Sequence, residues 1–94
     1  MFVVRETFTA RPGMASKLAA LFKQGPGHEP GVKMRVMTDH VGTFNTVVME
    51  TEVADLNEFD KRMKEYSERP DVRERMKGYT DMYLTGTREI YRVI

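Results

Sequence analysis

Apolar side chains recur every three or four residues between positions 55 and 79, which is the spacing of one face of a helix. Pro70 divides this stretch in two, because proline cannot continue the hydrogen bonds of a helix. The apolar positions of the two halves are Leu56, Phe59, Met63 and Tyr66, then Val72, Met76 and Tyr79. The pattern predicts a kinked or interrupted helix that buries this face against a sheet.

Acidic residues mark the start of each half. Asp55 and Glu58 have the spacing at which two side chains can each accept a free backbone N–H at a helix start, and Asp71 and Glu74 repeat it. These pairs predict a cap for each half, and Gly78 predicts the end of the second. The two halves are therefore expected to orient separately.

The rest of the chain predicts four strands and a second helix. Residues 14–24 place Leu18 and Phe22 on one helical face, and the glycines and prolines of residues 25–31 predict a loop. Glu6 interrupts the more apolar side of the first strand. The strands are predicted from period-two alternation at residues 1–11, 32–39, 43–53 and 82–94.

The second and third strands are expected to form an antiparallel hairpin whose register depends on the turn. With an even number of turn residues and Thr38 opposite Thr43, even-numbered residues of the second strand share a sheet face with odd-numbered residues of the third. An odd number of turn residues would move the side chains of one strand to the opposite face. In the even case one face carries Val32, Met34, Val36, Asn45, Val47 and Met49. With either turn, both faces carry large apolar groups.

The predicted order βαββαβ is the ferredoxin-like α+β plan, with a four-stranded antiparallel sheet and both helices on one face, in a single domain spanning residues 1–94. The first, third and last strands are apolar on both sides, so the second sheet face also needs cover. We predict a homodimer in which the open sheet faces of two copies pack together as a two-sheet barrel.

Composition narrows the function classes. The 15 basic and 14 acidic residues are interleaved and the net charge is +1, which disfavours a nucleic-acid partner. No apolar run reaches the roughly 20 residues that cross a membrane. The chain has no cysteine and no secretory signal pattern, so we expect a cytoplasmic protein without disulfide or thiolate chemistry. Its eight methionines are expected mainly to fill the core, with a ligand-facing role as the alternative.

Two short motifs carry a family resemblance. The run from His40 to Val48 resembles the glycine, x, apolar, asparagine, x, valine pattern of a hairpin in NIPSNAP proteins, and Arg11, Pro12 and Gly13, followed by Lys17 and Phe22, are similar to the opening of their first helix. With its topology, the chain resembles the dimeric α+β barrel superfamily, which includes NIPSNAP, EthD-like and small antibiotic-biosynthesis-type monooxygenase proteins.

The resemblance implies a cofactor-independent oxygenase, isomerase or cyclase acting on a small aromatic or polyketide-like compound, or a binding protein without chemistry. Haem-degrading relatives use a tryptophan that this chain lacks, and haem peroxidase-like relatives use a histidine in the C-terminal half, whereas His28 and His40 both come early. No cofactor is therefore expected. Both histidines are interpreted as loop or turn residues, and no metal site is predicted.

The cavity of this architecture lies between sheet and helices, so polar groups that point there are candidate ligand contacts. Asn45, in a valine-rich strand, is the first candidate, although a hydrogen bond between its side-chain amide and the backbone at the hairpin end is the favoured alternative. The other candidates are Tyr66, Tyr79, Tyr83 and Met49, with core packing as the alternative for each tyrosine. We expect Val72, Met76 and Tyr79 to close the pocket mouth or to reach the dimer interface.

Three functions remain open from the sequence. They are an enzyme of the oxygenase or isomerase kind, a module that binds a small apolar metabolite, and a structural or interaction dimer without a pocket. Binding or conversion of a small apolar metabolite is the preferred interpretation. Arg35 and Glu50 are expected to form a structural ion pair across the hairpin or the dimer.

Overall fold

A computed structural model describes residues 1–94 and gives the predicted order of elements. The strands are β1 (Phe2–Ala10), β2 (Lys33–Thr38), β3 (Thr46–Val53) and β4 (Tyr83–Arg92). The helices are α1 (Ala15–Gln24), α2 (Leu56–Glu68) and α3 (Pro70–Arg75), with single 3₁₀ turns at Pro26–His28 and Tyr79–Asp81. The strands form one antiparallel sheet in the order β2-β3-β1-β4, and the predicted ferredoxin-like α+β fold is confirmed.

The hairpin of β2 and β3 has the parity of an even turn but a different register. Thr38 pairs with Val47, so eight residues lie between the members of this last pair, and Val36 lies opposite Met49. The prediction that the third strand begins at Thr43 was wrong, because it begins at Thr46. Asn45 precedes the strand with φ 65°, a left-handed conformation that asparagine tolerates better than most residues.

The principal core lies between α1, α3 and the sheet. α1 buries Leu18 and Phe22, as its period predicts, and packs mainly over β2 and β3. Val72 and Met76 complete this core, a role that the expectation of a pocket mouth or a dimer interface did not include. Three strand residues supply the remaining buried members, which are Ala10, Val47 and Met49.

A second, smaller core lies at the start of α2. Phe59 packs with Val4 and Val53, and Leu56 lies against them. Farther along the same helical face Met63 is 36% exposed, so the middle of α2 stands away from the sheet. The first half of the interrupted helix thus covers the sheet only at its beginning.

The break between α2 and α3 occurs where proline predicts it. Arg69 is extended (φ −75°, ψ 127°), and Pro70 is the first residue of α3, a position that needs no backbone N–H. Asp55 caps α2 by accepting a hydrogen bond from the Asn57 N–H at 2.8 Å. The second predicted cap was wrong, because Asp71 lies inside the first turn of α3 and its carboxylate pairs with Arg69 and Arg75.

The sheet has a helix face and an open face, the latter defined by Val3, Arg5, Met37, Val48, Glu50 and Tyr91. The open face is mixed rather than strongly apolar. Glu50, 9% exposed, accepts hydrogen bonds from Arg5 at 2.7 Å and from Arg35 at 2.5 Å, so the predicted Arg35–Glu50 pair forms within one chain. These two arginines lower the pKa of Glu50.

A register shift between Thr9 and Ala10 changes which face of the sheet the first side chain of β4 lies on. Simple alternation groups Tyr83 with Tyr91, but Tyr83 pairs with Ala10 and packs on Phe8, with ring centroids 4.9 Å apart. The bulge therefore turns Tyr83 to the helix face. None of the helices has the length and hydropathy of a membrane span.

Candidate functional site

A cleft of about 720 Å³ separates the two cores. It opens between the sheet and the α2–α3 unit, because α2 contacts the sheet only near its first turn. Its apolar lining comes from both cores, with Phe22, Met49 and Met76 on one side and Phe59 on the other. The space is therefore an open cleft with an apolar part between the two cores and charged side chains elsewhere in its lining.

An ion pair on the sheet belongs to the cleft lining, and its arginine side chain is 47% exposed. Glu6 of β1 and Arg88 of β4 are register partners, and the Arg88 guanidinium is 3.0 Å from the Glu6 carboxylate. Glu6 is 14% exposed, while the Arg88 guanidinium also lies 5.8 Å from the centroid of the Phe59 ring. A carboxylate and a guanidinium are thus presented together beside apolar walls.

Tyr79 belongs to the turn after α3, and this turn forms one end of the cleft. Its ring lies 6.2 Å from that of Phe22 and 6.1 Å from that of Tyr83, measured between centroids. Burial raises the pKa of Tyr79, and the nearby Tyr83 and Glu6 raise it further. The phenol therefore stays protonated at neutral pH and can donate a hydrogen bond.

The Tyr66 hydroxyl is buried and has no hydrogen-bond partner. Burial raises its pKa. The missing side chain of Gly25 makes room for it, because a Cβ there would lie 3.1 Å from the hydroxyl and 2.6 Å from the Met76 sulfur. The loop after α1 and the two halves of the broken helix therefore meet in close contact at this point.

Arg69, in the α2–α3 break, ties that loop to the helices. Its guanidinium pairs with Glu29 of the loop and with Asp71 of α3, the latter at 2.6 Å, and lies 5.6 Å from the centroid of the Tyr66 ring. The pair lowers the pKa of Asp71 to about 2. One residue of the break thus contacts both the loop after α1 and the helices on either side of it.

The predicted site residues fall into two groups. Tyr66, Tyr79 and Met49 line the cleft. Tyr83 lies behind Tyr79 and does not line it, while Asn45 lies in the connection before β3. The Asn45 backbone carbonyl accepts the Ala10 N–H at 2.8 Å. No hydrogen bond joins the Asn45 side-chain amide to the backbone, so the alternative role predicted for that amide is not observed.

Glu6 and Arg88 are the residues that the sequence-based search missed. The sequence does contain an indication of Glu6, because Glu6 is the one charged residue on the helix-facing side of β1. Arg88 is its direct partner only in the register of β1 with β4, which the sequence does not supply. No group of three or more histidine, aspartate or glutamate side chains is arranged to hold a metal ion.

No protein-family model matches the sequence, and no curated protein matches it significantly. An uncharacterised NIPSNAP domain protein from Burkholderia xenovorans superimposes with a TM-score of 0.81 at 14% identity, over 100% of this chain and 95% of that one. A NIPSNAP family protein of unknown function from Agrobacterium tumefaciens gives 0.82 at 14% identity, over 97% and 86%. A Chloroflexus aurantiacus protein provisionally named an antibiotic biosynthesis monooxygenase gives 0.77 at 14% identity, over 99% and 92%.

Likeness at such low identity establishes the fold. The resemblance predicted from the two short motifs and the topology is therefore confirmed at that level. The chain has the ferredoxin-like α+β fold found in NIPSNAP domain proteins and in proteins of the antibiotic biosynthesis monooxygenase type.

Proposed function

We propose that this protein binds a small, largely apolar metabolite in the cleft between the sheet and α2–α3. The observation that carries the proposal is the division of the core by a gap of about 720 Å³, within the range of known small-molecule sites. A small domain loses hydrophobic stabilisation by leaving such a gap open, and an apolar ligand would restore it. The gap also disfavours the alternative of a structural dimer without a pocket.

The pair of Glu6 and Arg88 in the cleft lining supports conversion as well as binding. The chemistry that suits it best is a proton shift, in which the Glu6 carboxylate takes a proton from a ligand carbon and returns it to another carbon. Arg88 would stabilise the negative charge that develops on the ligand. Such a step is an isomerisation, because one C–H bond breaks, another forms, and the Glu6 carboxylate ends in the state in which it began.

The binding proposal is tested by blocking the cleft opening. Met63→Trp places a large ring at the partly exposed, cleft-lining position of α2, while Lys64→Trp adds the same ring one residue along, outside the lining. Native mass spectrometry and thermal shift with a panel of small aromatic and aliphatic compounds should find ligands that Met63→Trp loses and Lys64→Trp keeps. Binding that is unaffected by Met63→Trp would place the ligand elsewhere.

The conversion proposal is tested separately with Glu6→Gln. For a ligand found by that panel, wild-type protein in heavy water should introduce deuterium at carbon, and Glu6→Gln should abolish this exchange while retaining binding. Exchange at the wild-type rate in Glu6→Gln would exclude Glu6 as the base. The protein would then be a binding module.

We also propose that two copies pack through the open face, as the sequence analysis predicts. Tyr91 is 45% exposed there, and Val3, Met37 and Val48 are only partly covered within one chain. Sedimentation should show a dimer at micromolar concentration, which Val48→Lys dissociates and which Lys17→Glu, on the outer side of α1, leaves intact. A folded wild-type monomer at micromolar concentration would refute this interface.

A further inference from the structure

The cleft is lined by more basic than acidic side chains. The basic ones are Arg62, Arg69, Arg73, Lys77 and Arg88, and the acidic ones are Glu6, Glu29 and Glu65. The chain as a whole carries a net charge of only +1 from interleaved charges, so this local excess is not a consequence of a basic protein. The excess needs an explanation within the cleft itself.

The ion pairs within the chain neutralise only some of these cations. Arg69 pairs with Glu29 and Asp71, and Arg88 pairs with Glu6. Arg62, Arg73 and Lys77 form no ion pair. Three cations from both sides of the α2–α3 break therefore line the cleft without an ion-pair partner, against one unpaired carboxylate, that of Glu65.

One of the three is held in place by the break. The Arg73 Nε donates a hydrogen bond to the Ser67 carbonyl at 3.2 Å, across the residues that separate α2 from α3. That carbonyl lies near the end of α2, where the backbone carbonyls have no helical partner. Because Nε is engaged, the two terminal guanidinium nitrogens remain free to form a paired hydrogen bond with a planar oxyanion.

We infer that the ligand of the cleft is an amphipathic carboxylic acid, whose apolar body lies between Phe59, Met49 and Met63 and whose carboxylate is bound by Arg73. Arg62 and Lys77 are the further unpaired cations of the same lining. This inference rests on the proposed binding function. Arginine favours a carboxylate because its rigid fork matches two oxygens, and the neighbouring cations add an attraction that salt weakens. The pair of Glu6 and Arg88 remains free for the far end of the ligand.

The test compares two probes of one shape. 2-Naphthoic acid and 2-naphthylmethanol share a ring system and differ in the anionic group at neutral pH. Isothermal titration should give a dissociation constant about tenfold lower for the acid, which corresponds to 1.4 kcal/mol. Raising the ionic strength should reduce that difference, because exposed charges are screened.

Charge-removing variants then locate the anion. Arg73→Gln and Lys77→Gln should each weaken acid binding several-fold and leave alcohol binding unchanged, while Lys17→Gln, outside the cleft, changes neither. Circular dichroism confirms that the exposed substitutions leave the fold intact. Arg73→Lys is a further test, because lysine keeps the positive charge but lacks the two parallel N–H donors of the guanidinium group. Its affinity for the acid should lie between those of Arg73→Gln and the wild-type protein.

The outcomes separate this inference from the binding proposal. If acid and alcohol bind equally well, and both are lost in Met63→Trp, the cleft binds apolar molecules and the inference of an anionic ligand is wrong. If Arg73→Gln weakens both probes equally, Arg73 shapes the cleft and does not bind a carboxylate. If neither probe binds, the result counts against both statements.

Discussion

Replacing Tyr66 with phenylalanine is expected to stabilise the protein, which is the opposite of the usual effect of altering a buried side chain. The Tyr66 hydroxyl is shut off from solvent and has no hydrogen-bond partner. A buried polar group left unpaired costs about 1–3 kcal/mol relative to one that is hydrogen-bonded. Tyr66→Phe removes the oxygen and keeps the ring between Arg69 and the Gly25 loop.

We expect the free energy of unfolding to rise by about 1 kcal/mol, the lower end of that range, because the removed oxygen leaves a small gap. In a domain of this length, each 1 kcal/mol raises Tm by about 4–8 °C. Urea and thermal unfolding followed by circular dichroism measure both quantities. The protein concentration is held constant, because a dimer would make Tm depend on it.

Tyr79→Phe is the matched control. Tyr79 is also an aromatic residue of the cleft with a raised pKa, but its hydroxyl is not one of the buried, unpaired atoms. Its replacement should change stability by less than about 0.5 kcal/mol, as for substitutions away from buried networks. Spectrophotometric titration should also show that Tyr66→Phe removes a phenol that titrates above the normal range.

A loss of stability in Tyr66→Phe of 1 kcal/mol or more, on the scale of the ~1 kcal/mol that a hydrogen bond contributes, would refute the reasoning. It would mean that the hydroxyl has a partner in solution. An ordered water or a bound molecule in the cleft would then be the place to look. An unchanged titration curve in the variant would refute the assignment of the raised pKa to this residue.

Three further predictions concern single positions. Gly25→Ala should destabilise the fold by about 1–3 kcal/mol in urea unfolding, because its Cβ would lie 2.6 Å from the Met76 sulfur, while Gly27→Ala, whose nearest contact is 3.2 Å, should cost less. Asp55→Ala should cost about 1 kcal/mol by the same measurement, and Glu58→Ala much less, because only Asp55 bonds a free N–H of α2; equal losses would show a closed capping box. The pKa of Glu50 in the folded protein lies below its normal 4.5, so the contribution of Glu50 to stability is full above that pH and is lost as the pH falls. Glu50→Gln should therefore reduce the loss of stability that the wild-type protein shows in acid. An unchanged loss of stability in acid would exclude Glu50 as its cause.

The backbone plan was predictable because it depends on local chemistry. Proline does not fit inside a helix, so Pro70 predicts the break between α2 and α3. Asp55 precedes an apolar helical face and so predicts the start of α2. Asp71 was misassigned because an acidic residue in the first turn has the same local pattern as a cap. Proline at the first helical position moves the cap one residue before itself, to Arg69.

The candidate site was less predictable because it depends on how elements pack. Periodicity shows which face of α2 is apolar, but not that the helix leaves the sheet after Phe59 and exposes Met63. Alternation likewise cannot reveal the bulge that turns Tyr83 to the helix face. Glu6 could have been found from sequence, since a charge on the buried side of a central strand calls for a partner or a function.

The separation of α2 from the sheet has a consequence for the motions of the protein. Its first turn is anchored through Phe59 and its last turn through Tyr66, so the turn around Met63 between them is held mainly by its own backbone bonds. Segments with few buried contacts open locally at lower free energy than the global transition. Amide hydrogen exchange should therefore be faster around Met63 than in α1 around Leu18, and a ligand that fills the space beneath should slow exchange there first.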